Sequence, residues 1–290
     1  MIQVIGNINF DVTAILEKVG NVEESRILDL QPGIGGTASN TAIQLSKLGR
    51  RVILSGAVGK DIFGLWLLEE LGKQGIDVGH IKIVDDERTG FCFVSVRDDG
   101  HRFLFTHRGI NEKLLPEIAN PARTTFLHLA GVSIAQAEHV LNSVHRDIPI
   151  SYAPGGIVSF EKPEGVIRLS SKVTYLILNE REWESIGGFG TPESRYIIVT
   201  KGANGAEVLP EGILVPSYKV KAVDTTGAGD AFNAGFIHVL SSGGTLKDAV
   251  KFGNVLGALN VQYRGALGNY GLNEIRDFIS LNEPALTKYI

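Results

Sequence analysis

Short, almost wholly apolar runs recur at residues 2–5, 52–57, 126–130, 148–152, 175–178 and 196–200, separated by stretches of helical spacing. A strand with one wet face alternates polar and apolar residues, but runs such as YLIL and YIIV leave no face for water. Such strands must be covered on both sides. The rhythm therefore predicts an α/β fold, doubly wound, with a mainly parallel sheet flanked by helices. Ligands of these sheets sit beyond the carboxyl ends of the strands. At 290 residues, 43% hydrophobic and 21% charged, the chain can build one large soluble domain spanning residues 1–290.

Composition narrows the partners. The formal net charge of −4 comes without Lys/Arg clusters, so the electrostatic footprint for nucleic acid or anionic lipid is missing. No apolar stretch approaches membrane-spanning length, and the N-terminus MIQVIGNINF has no basic leader region. A single cysteine, Cys92, excludes an intramolecular disulfide, and its neighbours Phe91 and Phe93 suggest a packed thiol in a reducing, cytoplasmic setting. The seven histidines form no HExxH pair and have no companion cysteines, which disfavours a structural transition-metal site. Small-molecule partners are expected.

A different texture runs through residues 91–106, where FCFVSV and RFLFT flank Asp98-Asp99-Gly100 without an intervening helix. This reads as a β-hairpin. With residues 12–34 it would make a small β-sheet lid over one end of the main domain; an ordinary hairpin at the sheet edge is the alternative. The aromatics Phe91, Phe93, Phe103 and Phe105 would pack internally, cover a substrate, or meet a second copy in a homodimer through the lid.

The segment Asp224-Thr225-Thr226-Gly227-Ala228-Gly229-Asp230 carries the most chemistry. Residues 218–223 alternate like a strand, and Ala231, Phe232, Gly235, Phe236 and Val239 recur at helical spacing, so the turn opens a helix. Gly227 and Gly229 let backbone approach a ligand, and the free N–H groups of Gly227, Ala228 and Gly229 at a helix start favour an anion. Asp230 stands in the first turn, beside that anion hole, as a candidate general base. The plainer reading makes Asp230 a helix cap and the glycines a tight turn.

Two further constellations point to hydroxyl groups. Asn9 and Asp11 lie two apart and share a face of extended backbone, where a carboxylate and an amide can grip vicinal hydroxyls. Asx residues capping a turn would give the same letters. Gly35-Gly36-Thr37-Ala38-Ser39-Asn40 leads into a helix that Gly49 can stop, with Asn40 projecting from its first turn.

DTTGAGD followed by AFNAGF closely resembles a signature of the ribokinase-like carbohydrate kinases, the PfkB family, and GGTASN resembles the family's other signature, GGxxxN. The resemblance runs from Gly6 to about Gly265. It implies an ATP-dependent kinase acting on a hydroxymethyl group, with Asp230 as base and the 227–229 amides as anion hole. Substrate contacts would come from Asn9, Asp11, Gly35, Gly36, Asn40 and, less directly, Arg108. Asn179 and Glu182 match the family's NxxE, implying that Glu182 positions Mg²⁺ through water. The resemblance puts Asn179, Thr200, Lys201, Gly202, Gly205 and Asn254 on the nucleotide side, and makes Asp224 a candidate for K⁺. An acidic helix start, a plain hairpin and a strand-end Asp explain these same letters without function. The acceptor is open: a sugar first, then a nucleoside, or a sugar acid or sugar phosphate whose anion would face Arg102, His107 and Arg108. A non-catalytic sugar-binding protein is the rival from another class.

Overall fold

The computed structural model describes residues 1–17, 26–96, 102–119, 121–144 and 147–290. The first half of the chain gives β1 (Ile2–Gly6), β2 (Asn9–Leu16), β3 (Ile27–Gly35), α1 (Thr37–Lys47), β4 (Val52–Gly59), α2 (Ile62–Lys73), β5 (Ile81–Val84), β6 (Gly90–Val96) and β7 (Arg102–His107). There follow β8 (Phe126–Ala130), α3 (Ile134–Asn142), β9 (Ile150–Ala153), α4 (Gly155–Glu161), α5 (Pro163–Ser170), β10 (Tyr175–Asn179), α6 (Glu180–Ile186) and β11 (Tyr196–Thr200). The remainder is β12 (Ala206–Leu209), β13 (Ile213–Val215), α7 (Ala228–Ser241), α8 (Leu246–Asn260) and α9 (Leu272–Asn282).

Nine strands form one sheet in the order β13-β12-β11-β10-β9-β8-β1-β4-β5. From β11 to β5 every pairing is parallel, and β12 and β13 add an antiparallel edge. The two-residue period of each strand divides its apolar side chains between two cores. Val4, Phe126 and Ile177 pack with α1, α2, α7, α8 and α9, whereas Ile5, Leu127 and Leu178 pack with α3, α4, α5 and α6. This is the doubly wound arrangement expected from the unbroken apolar runs. The parallel register aligns Gly6, Ala130 and Ala153, and Asn179 with Thr200, along one edge, where the strands end.

A separate four-stranded sheet, ordered β3-β2-β6-β7, stands over that edge. It is mixed: β2 pairs in parallel with β6, and the outer pairings are antiparallel. The expected hairpin is β6 and β7, while its Asp98-Asp99-Gly100 tip and residues 18–25 lie outside the described residues. The small sheet begins at Asn9 rather than residue 12, so the proposed hydroxyl-binding pair belongs to the lid strand itself.

Residues 218–223 do not form the strand their alternation suggested. They follow the sheet's edge strand β13 but do not add to its open edge, and the chain instead crosses to α8. There the Val223 and Asp224 amides donate to Val261 O at 2.7 and 3.1 Å, and Tyr218 packs edge-on against Phe278. The turn before α7 is therefore held by the end of α8, not by a strand.

Candidate active site

A cavity of about 340 Å³ opens between the small sheet and the strand ends, lined on its polar side by Asn7, Asn9, Asp11, Thr37, Asn40, Thr106, Arg108, Asn111 and Asp230, with Gly36, Gly227 and Gly229. Residues nearly two hundred positions apart in sequence thus face one space. Its size suits a small molecule.

Asp230 sits in the first turn of α7, and its Oδ2 accepts a hydrogen bond from Asn40 Nδ2 at 2.8 Å. Burial raises its pKa from 3.8 to about 7; the Asn40 bond works against this, while the negative charges of Asp11 and Glu182 add to it. Burial likewise raises Asp11 to about 7. A carboxylate held near neutrality is poised to take a proton from an alcohol and still be ionised at working pH. Asp11 Oδ1 and Asn40 Oδ1 are buried without a hydrogen-bond partner among the described residues, although both side chains line the cavity. Unsatisfied acceptors on two side chains that line one cavity fit a ligand that brings donors, such as hydroxyls.

The glycines explain themselves here. Gly227, at φ 73°, caps α7 in the left-handed region, and a Cβ there would lie 2.1 Å from Ala266 O. The amides of Gly227 and Gly229 have no intramolecular acceptor among the described residues, whereas Ala228 N–H makes a 3.3 Å turn bond to Thr225 O. An anion bound at this turn would therefore meet chiefly the amides of the two glycines. At Gly35 a Cβ would fall 1.9 Å from the Asp11 carboxyl carbon, so the glycine clears the seat of that carboxylate.

A supporting layer lies behind these groups. Asn111 Nδ2 donates to Asn9 Oδ1 at 2.9 Å and to Ile8 O at 3.1 Å, while its Oδ1 accepts from Ile8 N at 3.1 Å. With its oxygen so occupied, Asn9 has its amide NH₂ to offer the cavity. Gln136 holds this turn in place by donating to Asn111 O and Leu114 O, both at 2.7 Å. Asn7 Oδ1 accepts from Thr37 Oγ1 at 2.7 Å and weakly from Ala38 N at 3.4 Å, serving the start of α1, whose own N-cap position is Gly36. The asparagine two residues before Asn9 was the available signal for this group. Cys92 is buried as expected, but it also lines the cavity, with the Thr106 hydroxyl 3.6 Å from its sulfur.

The basic groups of the hairpin separate. Arg108 lines the cavity. His107 does not: it pairs with Phe91, one position from the Cys92–Thr106 pair, and a strand's alternation turns it to the opposite face of the sheet. The side chain of Arg102 lies outside the described residues.

The residues expected on the nucleotide side lie off this cavity. Asn179 and Glu182 form a reciprocal capping box at α6, at 3.0 Å each way. Burial raises the pKa of Glu182, and the two capping contacts oppose that rise. Thr200 pairs with Asn179 across the strands, and Thr200, Lys201, Gly202 and Gly205 make the hairpin between β11 and β12. Lys201 is paired with Glu207. Asn254 donates to Val215 O and Pro216 O at 3.0 and 3.1 Å, binding α8 to the edge strand. Asp224 accepts from the Thr226 amide at 2.8 Å and the Gly265 amide at 2.9 Å, which orders the turn before α7. Among the described residues no group of three or more His, Cys, Asp or Glu is arranged to hold a metal.

The fold and site define a phosphoryl-transfer scaffold, and the pattern of the pfkB family carbohydrate kinases matches residues 1–270, so the chain belongs to that family. It is 30% identical over 288 residues to the ATP-dependent ribose-1-phosphate kinase of Halopiger xanaduensis, covering 95% of this chain and 96% of the relative. The crystal structure of ribokinase from Cryptococcus neoformans in complex with ADP superposes with a TM-score of 0.81 at 27% identity, covering 95% of this chain and 98% of the other. The nucleoside kinase of Methanocaldococcus jannaschii shares the fold, with a TM-score of 0.86 at 22% identity and coverage of 97% and 98%. No helix among the described residues is long and apolar enough to cross a membrane.

Proposed function

We propose that this carbohydrate kinase transfers the γ-phosphoryl group of ATP to the hydroxymethyl group of a monosaccharide or a close derivative. The observation that carries this reading is the convergence of Asp230, near neutral in pKa, with the orphaned acceptors of Asp11 and Asn40 in one cavity. In the proposed mechanism Asn9 donates to, and Asp11 accepts from, neighbouring sugar hydroxyls, holding the acceptor against Asp230. Asp230 then takes the hydroxyl proton as oxygen attacks phosphorus. The Gly227 and Gly229 amides, at the positive end of α7, stabilise the charge that develops on the transferred group. Such transfer depends on positioning and charge stabilisation more than on covalent help.

The edge where β10 and β11 end is the proposed nucleotide side, with Asn179, Thr200, Lys201, Gly202, Gly205 and Asn254 around it. Glu182 fits Mg²⁺ chemistry because its Oε2 serves the capping box and a carboxylate has further acceptor sites to offer a hydrated ion. Mg²⁺ there would neutralise phosphate charge. Asp224 is the proposed K⁺ neighbour, although its oxygens already accept two amides. ATP as donor suits a cytoplasmic enzyme.

The small sheet is proposed to act as a lid, and its outward face to join two copies. Phe103, Phe105 and Leu30 share that face and are half or more exposed. An identical apolar face on a second copy would cover them. An ADP-release assay over pentoses, hexoses, sugar phosphates, sugar acids and nucleosides tests the activity. ADP release that depends on one of these acceptors is expected; release with none of them would favour a binding protein.

A further inference from the structure

A chain of buried hydrogen bonds runs from α1 to the back of the Gly227 turn, through side chains that the proposed mechanism does not use. Tyr270 Oη donates to Gln44 Oε1 at 3.0 Å, so the Gln44 NH₂ faces Asn260, whose Oδ1 accepts it at 3.0 Å. The same Oδ1 accepts the Gly268 amide at 2.9 Å. The Asn260 NH₂ in turn donates to Thr226 O at 3.1 Å and to Ala266 O at 3.3 Å. Both N–H groups and both lone-pair positions of one side chain are thus used, and reversing the amide would set its oxygen against two carbonyls. Gln44 and Asn260, the last residue of α8, are 1% and 0% exposed. Apolar side chains would join α1 to α8 without desolvating polar groups, so a fully satisfied polar network here specifies geometry.

We propose that Asn260 is a positioning residue for phosphoryl transfer, aiming the Gly227 N–H at the transferred group by holding the Thr226 carbonyl from behind. The proposal rests on the kinase reading and adds a part to its machinery. Thr226 C=O and Gly227 N–H belong to one trans peptide plane, so they point in opposite directions. With Thr226 O fixed on the buried Asn260, the Gly227 N–H is turned away from the core, and Gly227 lines the cavity. A glycine at φ 73° has no Cβ to restrict its backbone, so the bond from Asn260 adds the restraint that a side chain would give. The Ala266 carbonyl held by the same NH₂ is the atom that a Cβ on Gly227 would strike, at 2.1 Å. Asn40 stands one turn before Gln44 on α1 and donates to Asp230. One helix face therefore sets the base directly, and the anion hole through Gln44 and Asn260.

The test compares full-length wild type, Asn260→Ala and Gln44→Met, the last being near-isosteric and unable to donate to Asn260. Single-turnover transfer is measured from MgATP to the fastest acceptor of the panel, at one fixed K⁺ concentration. In parallel, inhibition by aluminium fluoride with MgADP and that acceptor reports binding of a mimic of the transferring group. Deleting one anion-hole donor costs about 10²–10³-fold, so leaving it present but unaimed should slow Asn260→Ala about 10- to 100-fold. Aluminium fluoride should lose affinity by a similar factor, while acceptor Kd from calorimetry stays within about twofold of wild type. Gln44→Met should move rate and aluminium fluoride affinity the same way, by about two- to fivefold. A purely structural role would lower Tm and leave the rate of the folded protein and its aluminium fluoride affinity unchanged; that result would overturn the proposal, as would acceptor Kd weakened as much as the rate. Should Asn260→Ala not fold, Gln44→Met decides, and a wild-type rate and inhibition in that variant would overturn the proposal. Wild type that transfers to no acceptor of the panel would instead remove the kinase reading, and the proposal with it.

Discussion

Replacing Asp230 by asparagine should make the protein more stable at alkaline pH. The side chain is buried and its pKa rises from 3.8 to about 7, chiefly because burial penalises the charge. A pKa raised by folding means that the folded state holds its proton after the unfolded chain has released it. Stability from this group is thus complete below pH 3.8, declines as pH rises, and is fully lost above about pH 7. Three pKa units correspond to a loss on the order of 4 kcal/mol. The asparagine side chain would avoid that loss and still offer an amide oxygen to Asn40 Nδ2. At about 2–4 °C per kcal/mol for a protein of this size, Tm at pH 8 should rise on the order of 10 °C, with a much smaller gain at pH 5. Melting curves of both proteins across that range measure the effect. A mutant melting at or below wild type at pH 8, or an offset independent of pH, would refute the burial argument and leave Asp230 as a stabilising cap.

Other expectations follow from the surrounding geometry. Gly35→Ala should fold but raise acceptor KM by about 10- to 100-fold, because the new Cβ would displace the Asp11 carboxylate and lose a charged hydrogen bond; calorimetry with acceptor alone checks it. Asn111→Ala frees the Asn9 amide to rotate, so acceptor affinity should fall about two- to tenfold while ATP affinity holds, as separate titrations would show. Phe105→Asp on the outward lid face should shift the sedimentation coefficient from dimer to monomer, and an unchanged value would discard the lid dimer.

The sequence exposed those parts of the site governed by local periodicity. Unbroken apolar runs predicted strands covered on both faces, and a two-residue spacing placed Asn9 and Asp11 on one side of a strand. Two short motifs carried Asp230 and Asn40. What stayed hidden depends on partners distant in the chain. Residues 218–223 alternate like a strand but run to the end of α8 instead of adding to the open edge of β13. His107 and Arg108 are adjacent letters, yet the pleat sends His107 away from the cavity and only Arg108 lines it. Gln136 acts through a backbone turn, so nothing in its immediate sequence marks it. Glu182 shows a further ambiguity, since one carboxylate makes a capping box and can also attract an ion.

The central claim is that Asp230 removes the acceptor's proton. Single-turnover transfer from MgATP, with the best acceptor saturating, tests it most directly in wild type and in folded Asp230→Asn. Wild-type rate should rise with pH to a plateau, with its midpoint near the raised carboxyl pKa of about 7. The asparagine variant should be slower by about 10²–10⁴-fold and lose that rising limb. Near wild-type transfer by a folded Asp230→Asn protein would contradict the account.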